Sequence, residues 1–253
     1  MTDTIDRLLE AFELHDPAAI AALVAGGLDV HSPIRGKNAA TWLTEMYARS
    51  PRFPACLRAL LDGGARLDDP ALTPVLLDDA QALAAALRED PALLQYRTSL
   101  SSAFTPLQGA TLLHVAAEFQ CAAAMDELLR AGADPNACAG VDENGLGGHT
   151  PLFHTVNAND DRAAACRHLL LAAGARADVR IAGLVWGRGF EWETTFFDLT
   201  PISYAQLGLL PQVHRDERQI RATIDEMLRA AGRPVPPVVN VPNRYLARGR
   251  SGS

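Results

Sequence analysis

Two glutamates, Glu191 and Glu193, stand two residues apart in a segment rich in glycine and aromatic residues. Alternation and β-branched or aromatic residues over 179–198 predict a β-hairpin with its turn near Trp186 to Gly189. On a strand, both carboxylates point to one face while Trp192 points to the other. Two carboxylates on one face can perform acid–base chemistry if burial moves their pKa values apart. The alternative is a stabilising finger whose aromatic residues cover a groove and whose acids face water.

An internal repeat indicates the elements that must position these carboxylates. Thr111 opens the motif Thr-Leu-Leu-His-Val-Ala-Ala, and the motif Leu-Leu-Arg-Ala-Gly-Ala-Asp places Gly132 21 residues later. This pattern resembles the ankyrin repeat, a two-helix unit of about 33 residues. Further copies open at Thr150 and Thr200, and weaker copies precede residue 105.

The resemblance, to a bacterial-type member of the family, implies an all-α repeat solenoid. About six helix–turn–helix repeats would stack through their apolar faces, with the β-hairpin as a finger insertion. The repeat domain is predicted over residues 1–232, with degenerate repeats to about residue 105 and clear repeats over 106–232. Residues 233–253, rich in proline and arginine, are predicted to form a flexible tail.

Two long insertions interrupt the last three repeats. Gly132 and Thr150 are 18 residues apart, and Gly174 and Thr200 are 26 apart, whereas the same landmarks are about 12 apart in a 33-residue unit. Both insertions fall in the turn that projects as a finger in the ankyrin family. Because they belong to adjacent repeats, we expect them to touch.

A candidate ligand-binding groove follows from mapping the family's variable positions onto this sequence. Glu118 and Phe119 end one first helix, Asn157 is a counterpart one repeat later, and His149 precedes its threonine. With the finger, these positions predict one continuous groove for a small polar ligand or a partner's side chains. An ordinary solvated concave surface is the alternative. The ligand-binding candidates are Glu118, Phe119, Asp142, Glu143, Asn157, Trp186, Trp192, Phe197, Asp198 and Tyr204.

The histidines divide into structural and catalytic candidates. By the resemblance, His114 ties neighbouring turns together through hydrogen bonds. His154 takes a position that is usually apolar and inward, and stacking is expected to bring it to Tyr204. In an acid–base site, Glu193 or Glu191 would act as general base, and His149 or His154 as acid or orienting group. His114 and Glu118 are four residues apart on one helix and His149 could approach them, which is too little for a zinc site.

The composition of the chain limits the classes of binding partner that we expect. The formal net charge is −7, so attraction to nucleic acid or to an anionic membrane is not expected. No membrane-spanning run and no secretion signal is visible, and the four cysteines lack metal spacing, which favours the cytoplasm. No cofactor motif is found, since Gly145-Leu-Gly-Gly lacks the lysine of a phosphate-binding loop. A modest basic region that includes Arg49 is predicted to be solvated.

Two functional hypotheses follow, with a purely structural subunit as a third. The first is an ankyrin-repeat binding module that holds a protein or a ligand in the concave groove and extended fingers. The second is a small-molecule enzyme (an acid–base hydrolase, lyase, isomerase or cyclase) with a Glu/His site in the insertions. Acidic residues are depleted in protein interfaces, which favours the second, whereas the family's usual role favours the first. The oligomeric state is left open.

Overall fold

A computed structural model describes residues 2–46, 48–209 and 216–235. The predicted tail therefore lies almost wholly outside the described residues, from residue 236 onward. The helices of the described residues, in chain order, are α1 (Thr2–Glu13), α2 (Pro17–Ala25), α3 (Ala39–Glu45), α4 (Phe53–Asp62), α5 (Thr73–Leu76), α6 (Ala80–Glu89), α7 (Leu112–Glu118), α8 (Ala122–Arg130), α9 (Ala164–Ala172), α10 (Pro201–Ala205) and α11 (Glu217–Ala230). Short 3₁₀ helices occur at Pro70–Leu72, Pro91–Gln95, Pro151–Thr155, Asn159–Asp161 and Gln206–Leu209. The strands are β1 (Thr98–Leu100), β2 (Leu107–Ala110), β3 (Ile181–Trp186) and β4 (Thr194–Leu199).

The helices follow one another in pairs whose members pack together. The pairs are α1 with α2, α3 with α4, α5 with α6, α7 with α8, the 3₁₀ helix Pro151–Thr155 with α9, and α10 with α11. Neighbouring pairs also pack on each other, for example α2 on α4, α6 on α8 and α8 on α9. The apolar side chains between them form one cluster that runs from α1 to α11. The core is thus shared between neighbouring units.

Local sequence signals begin and end these helices. Thr200 caps α10 by accepting a hydrogen bond from the Ser203 amide at 3.1 Å, and Pro201 occupies the first turn. Gly132 and Gly174 follow α8 and α9 with φ of 95° and 90°, which a residue with a Cβ rarely adopts. The predicted roles of Thr200, Gly132 and Gly174 are confirmed, but Thr150 does not cap its helix, because its Oγ1 has no hydrogen-bond partner among the described residues.

The all-α prediction is wrong. Two separate two-stranded antiparallel sheets, β1–β2 and β3–β4, stand among the helices. In residues 98–110, Ser99 of β1 lies opposite Gln108 of β2, and Leu100 lies opposite Leu107. No repeat motif in the sequence indicates this pairing. The unit that opens at Thr150 also begins with a 3₁₀ helix rather than an α-helix. Regular helix pairs therefore alternate with irregular, strand-bearing segments.

The predicted hairpin of the second insertion is present. β3 pairs with β4, with Leu184 opposite Phe196 and Trp186 opposite Thr194. The connection spans 187–193 and is longer than the turn predicted near Trp186 to Gly189. Within the part of the chain that the structure describes, no helix is both long and apolar enough to cross a bilayer.

Candidate functional site

His114 fastens the start of α7 to the next unit. Its Nδ1 accepts a hydrogen bond from the Thr111 amide at 3.1 Å, so Nε2 carries the proton and donates to the His149 carbonyl at 3.0 Å. Burial, together with the nearby His154, lowers the pKa of His114 to about 3, so the ring is neutral. The predicted structural role of His114 is confirmed.

Glu118, at the end of α7, is a buried carboxylate with three partners. Its side chain is only 5% exposed. One oxygen lies 2.8 Å from His154 Nδ1, and the other lies 3.3 Å from Arg49 Nη2 and 3.1 Å from Ser102 Oγ. Burial raises the pKa of Glu118, but the His154 hydrogen bond, the Arg49 charge and the Ser102 hydroxyl together lower it below its ordinary value. Glu118 is therefore ionised in the folded protein.

The ionised carboxylate fixes which nitrogen of the His154 ring donates a hydrogen bond. Because a carboxylate only accepts hydrogen bonds, His154 Nδ1 must be the donor. In the neutral ring, Nε2 then keeps its lone pair, and it has no hydrogen-bond partner among the described residues. A histidine held in this way can accept a proton or a hydrogen bond at Nε2.

Arg49, in the segment before α4, forms one polar cluster with Glu118, His154 and Ser102. Its guanidinium carbon lies 4.5 Å from the ring centroid of Phe119 and 5.5 Å from that of Phe104, so the two rings hold the cation. Its Nη1 donates to the Met46 carbonyl at 2.6 Å. The prediction of a solvated Arg49 is wrong, since its side chain is 9% exposed. A contact across 69 residues between Arg49 and Glu118 leaves no local signal in the sequence.

A cavity of about 60 Å³ adjoins this cluster beneath the finger. Its walls include Glu118, His154, Asn157, Phe104 and Trp186. Neither Asn157 Nδ2 nor Asn157 Oδ1 has a hydrogen-bond partner within the described part of the chain. Glu118, Asn157 and Trp186, three predicted ligand-binding residues, are therefore brought together with the predicted catalytic residue His154.

A larger groove of about 460 Å³ lies on the other side of the finger. It is lined by residues 99–102 and 106–108 around β1–β2, by the first insertion and by the finger. His149 lines it and donates from Nε2 to the Pro106 carbonyl at 2.8 Å. Burial, together with the neighbouring rings of His154 and His114, lowers the pKa of His149 well below its ordinary value. The predicted continuous groove is thus divided into a groove with His149 and a cavity with Glu118, His154 and Asn157.

The two insertions touch, as predicted. The Gly147 amide donates to the Gly183 carbonyl at 2.9 Å, and Arg188 forms an ion pair of 2.7 Å with Asp142. Asp142 also accepts from the Leu146 amide at 3.0 Å, which holds the first insertion in a closed loop. These contacts make one wall of the groove from both insertions.

Glu191 and Glu193 form no part of the lining of the groove or of the cavity. Both are exposed residues of the connection before β4, so the prediction that they share one face of a strand is wrong. Glu193 Oε2 accepts a hydrogen bond from the Gly189 amide at 2.7 Å, which stabilises the tip of the finger.

The remaining predicted ligand-binding residues have varied positions. Trp192 packs at 4.7 Å between ring centroids against Trp186. Asp198 pairs with Arg180, and Phe119 is buried against Phe53. The Tyr204 hydroxyl lies 2.9 Å from Thr105 Oγ1, and Tyr204 is not the hydrogen-bond partner of His154 that the sequence suggested.

Phe197 and Glu143 are exposed on the two insertions. The sequence did not single out Ser102 or Phe104, because both lie in the irregular segment between β1 and β2. Among the residues that the structure describes, no group of three or more His, Cys, Asp or Glu side chains could hold a metal ion.

Comparison with known proteins agrees with the motif. Residues 108–139 match the family model of the ankyrin repeat, a span that contains α7 and α8 together with the tie made by His114. No curated protein matches the sequence. The described helix pairs place the matched unit in the middle of the stack. The chain therefore contains an ankyrin repeat at residues 108–139.

Proposed function

We propose that this chain is a protein-binding module that holds an extended, basic segment of its partner in the groove beside the finger. Ankyrin repeats generally mediate protein interactions. The observation that carries the proposal is the groove of about 460 Å³ that both insertions form next to the matched repeat. Its size lies within the range of about 300–1,000 Å³ that is typical of ligand sites.

The shape of the groove favours an extended segment. One side is formed by β1, which pairs only with β2 among the described residues. An extended peptide can add to the open edge of such a strand through main-chain hydrogen bonds. Val141 and Phe197 are 60% and 70% exposed on the neighbouring insertions and offer apolar contacts.

The charge around the groove favours basic side chains in the partner. Asp142 and Arg188 neutralise each other at the rim. Glu143, Glu191 and Glu193 are exposed close to this pair in sequence, and the whole chain carries a net charge of −7. Complementary charge speeds encounter and selects partners, and its effect weakens as salt is added.

A peptide-display selection tests the proposal. Short random peptides are selected on the full chain, and the enriched ones are measured by fluorescence anisotropy. We expect enriched peptides to be basic. Ser101→Trp, which fills the exposed wall of the groove, should weaken their binding by about tenfold or more. Glu191→Lys with Glu193→Lys should weaken it several-fold and reduce its salt dependence.

The matched control is Glu10→Lys with Glu13→Lys, which makes the same charge change on exposed positions of α1, at the far end of the chain. This variant should bind the peptides as the unchanged protein does. Selected peptides that bind Ser101→Trp with unchanged affinity would show that the groove is not the binding site.

A further inference from the structure

The cavity beneath the finger carries unpaired polar groups that the proposed protein-binding groove does not use. Its volume of about 60 Å³ exceeds the roughly 10–15 Å³ that one water molecule requires, so it is large enough for a small polar group. It opens past Gln120, Asn159 and Arg162, of which Asn159 and Arg162 are exposed. A small polar group can therefore enter it from solvent.

Four polar atoms of its lining residues have no hydrogen-bond partner among the described residues. They are Asn157 Nδ2, Asn157 Oδ1, Arg49 Nε and His154 Nε2. The His154 side chain is fully buried and the Arg49 side chain is 9% exposed. Buried polar atoms are normally paired, so four unpaired atoms on residues that line one cavity suit a small polar ligand.

The four atoms divide equally into donors and acceptors. Asn157 Nδ2 and Arg49 Nε donate, whereas Asn157 Oδ1 and His154 Nε2 accept, because the Glu118 carboxylate holds the His154 proton on Nδ1. Glu118 also neutralises the charge of Arg49. The cavity therefore offers two donors, one of them on a guanidinium whose charge Glu118 balances, and two acceptors.

We propose that this cavity binds a primary carboxamide group. A primary carboxamide has a carbonyl oxygen with two lone pairs and an NH₂ with two donor hydrogens, which match two donors and two acceptors. A carboxylate, which only accepts, would leave Asn157 Oδ1 and His154 Nε2 unpaired and would approach Glu118. Trp186 and Phe104, inclined at 30° with ring centroids 6.3 Å apart, supply flat apolar walls for a planar group.

Ligand-observed NMR with the full chain tests this proposal. Saturation transfer is measured to acetamide, to acetate and to N,N-dimethylacetamide, which keeps the carbonyl but has no donor. We expect transfer to acetamide and none to the other two. Equal transfer to acetate or to dimethylacetamide, or no transfer to acetamide, would overturn the proposal.

A variant pair assigns the signal to the cavity. Asn157→Leu should weaken acetamide binding by about tenfold or more, because it leaves the buried amide of the ligand unpaired. Asn144→Leu changes an exposed asparagine of the first insertion and should leave binding unchanged. Binding to Asn157→Leu with unchanged affinity would refute the site, and the ligand series on the unchanged protein remains decisive if this variant does not fold.

The carboxamide can belong to a free small molecule or to a glutamine side chain of another protein. Comparing acetamide with the tripeptide Gly-Gln-Gly, and using Gly-Glu-Gly as the control, distinguishes these sources. The source is identified by whichever of acetamide and Gly-Gln-Gly binds more tightly. Equal binding of Gly-Gln-Gly and Gly-Glu-Gly would argue against the proposal that the cavity binds a carboxamide. The groove variant Ser101→Trp should leave amide binding unchanged, which separates this site from the proposed protein-binding groove.

Discussion

Replacing Glu118 by Gln removes the carboxylate that pairs with Arg49 while it keeps the shape of the side chain. Every partner of the carboxylate is a donor: His154 Nδ1 at 2.8 Å, Ser102 Oγ at 3.1 Å and Arg49 Nη2 at 3.3 Å. The Gln amide can accept through one oxygen only, and its NH₂ must face at least one of these donors. The substitution therefore leaves a buried cation without the carboxylate that pairs with it.

The burial of the pair sets the magnitude of the effect. Arg49 and Glu118 are 9% and 5% exposed, so water screens neither charge effectively. Removing one partner of a buried ion pair typically costs about 3–5 kcal/mol. Because the Gln oxygen retains one hydrogen bond, we expect a loss of about 3 kcal/mol in the free energy of unfolding.

Urea denaturation followed by circular dichroism measures this loss. The matched control is Glu127→Gln, which removes an ion pair with Arg130, whose side chain is 65% exposed. Such exposed pairs contribute about 0.5 kcal/mol or less. A loss for Glu118→Gln below about 1 kcal/mol, or no larger than that of the control, would refute the claim that Glu118 is a buried, ionised partner.

The pH dependence adds an independent check on the same variant. The folded-state pKa of Glu118 is lowered, so its stabilisation is complete above the unfolded pKa, near about 4.3, and is lost as the pH falls through the folded value. The difference in stability between the unchanged protein and Glu118→Gln should therefore be constant near neutral pH and shrink in acid. A difference that grows in acid would contradict this assignment.

Three further predictions concern other parts of the molecule. His114 and His149 have lowered pKa values in the folded protein, so the unfolded state binds protons that the folded state does not. The urea concentration at the unfolding midpoint should therefore decrease as the pH is lowered from about 7 to about 5, and an unchanged midpoint would contradict this. Gly187→Ala should destabilise the protein by at least about 1 kcal/mol more than Gly189→Ala in thermal unfolding. Both positions have positive φ, but a Cβ at 187 would meet the Trp192 ring at 1.9 Å whereas one at 189 meets nothing within 4 Å; equal losses would exclude the clash. Cys138, the exposed member of the four free cysteines, should react first with a thiol reagent in the folded protein, and mass spectrometry of the labelled peptides would reveal any other order.

Local signals predicted much of the repeat framework. The Thr200 cap, the glycine positions at helix ends, the structural tie through His114 and the hairpin of the second insertion depend on residues close in sequence, and the structure contains each of them. The contact between the insertions also followed, because adjacent repeats must stack. The β1–β2 sheet did not follow, since its short strands carry no repeat motif.

The candidate site was predicted less well than the framework. Glu118, Asn157 and His154 were singled out by position in the repeat, and the structure places all three around one cavity. Glu191 and Glu193 were singled out by residue type, and both lie exposed on the connection of the finger. Residue type indicates what a side chain can do but not whether it is buried.

The sequence by itself determined the repeat unit, because capping, helix termination and apolar periodicity operate within about 33 residues. Only the tertiary structure decided which nitrogen of His154 donates a hydrogen bond, because Arg49 and Ser102, which keep Glu118 ionised beside it, lie 69 and 16 residues from Glu118. It also decided the division into a groove and a cavity, because β3 runs between them and presents Val185 to the groove and Trp186 to the cavity. Burial and pairing over such distances arise from the packing of whole units, which no local pattern of residues records.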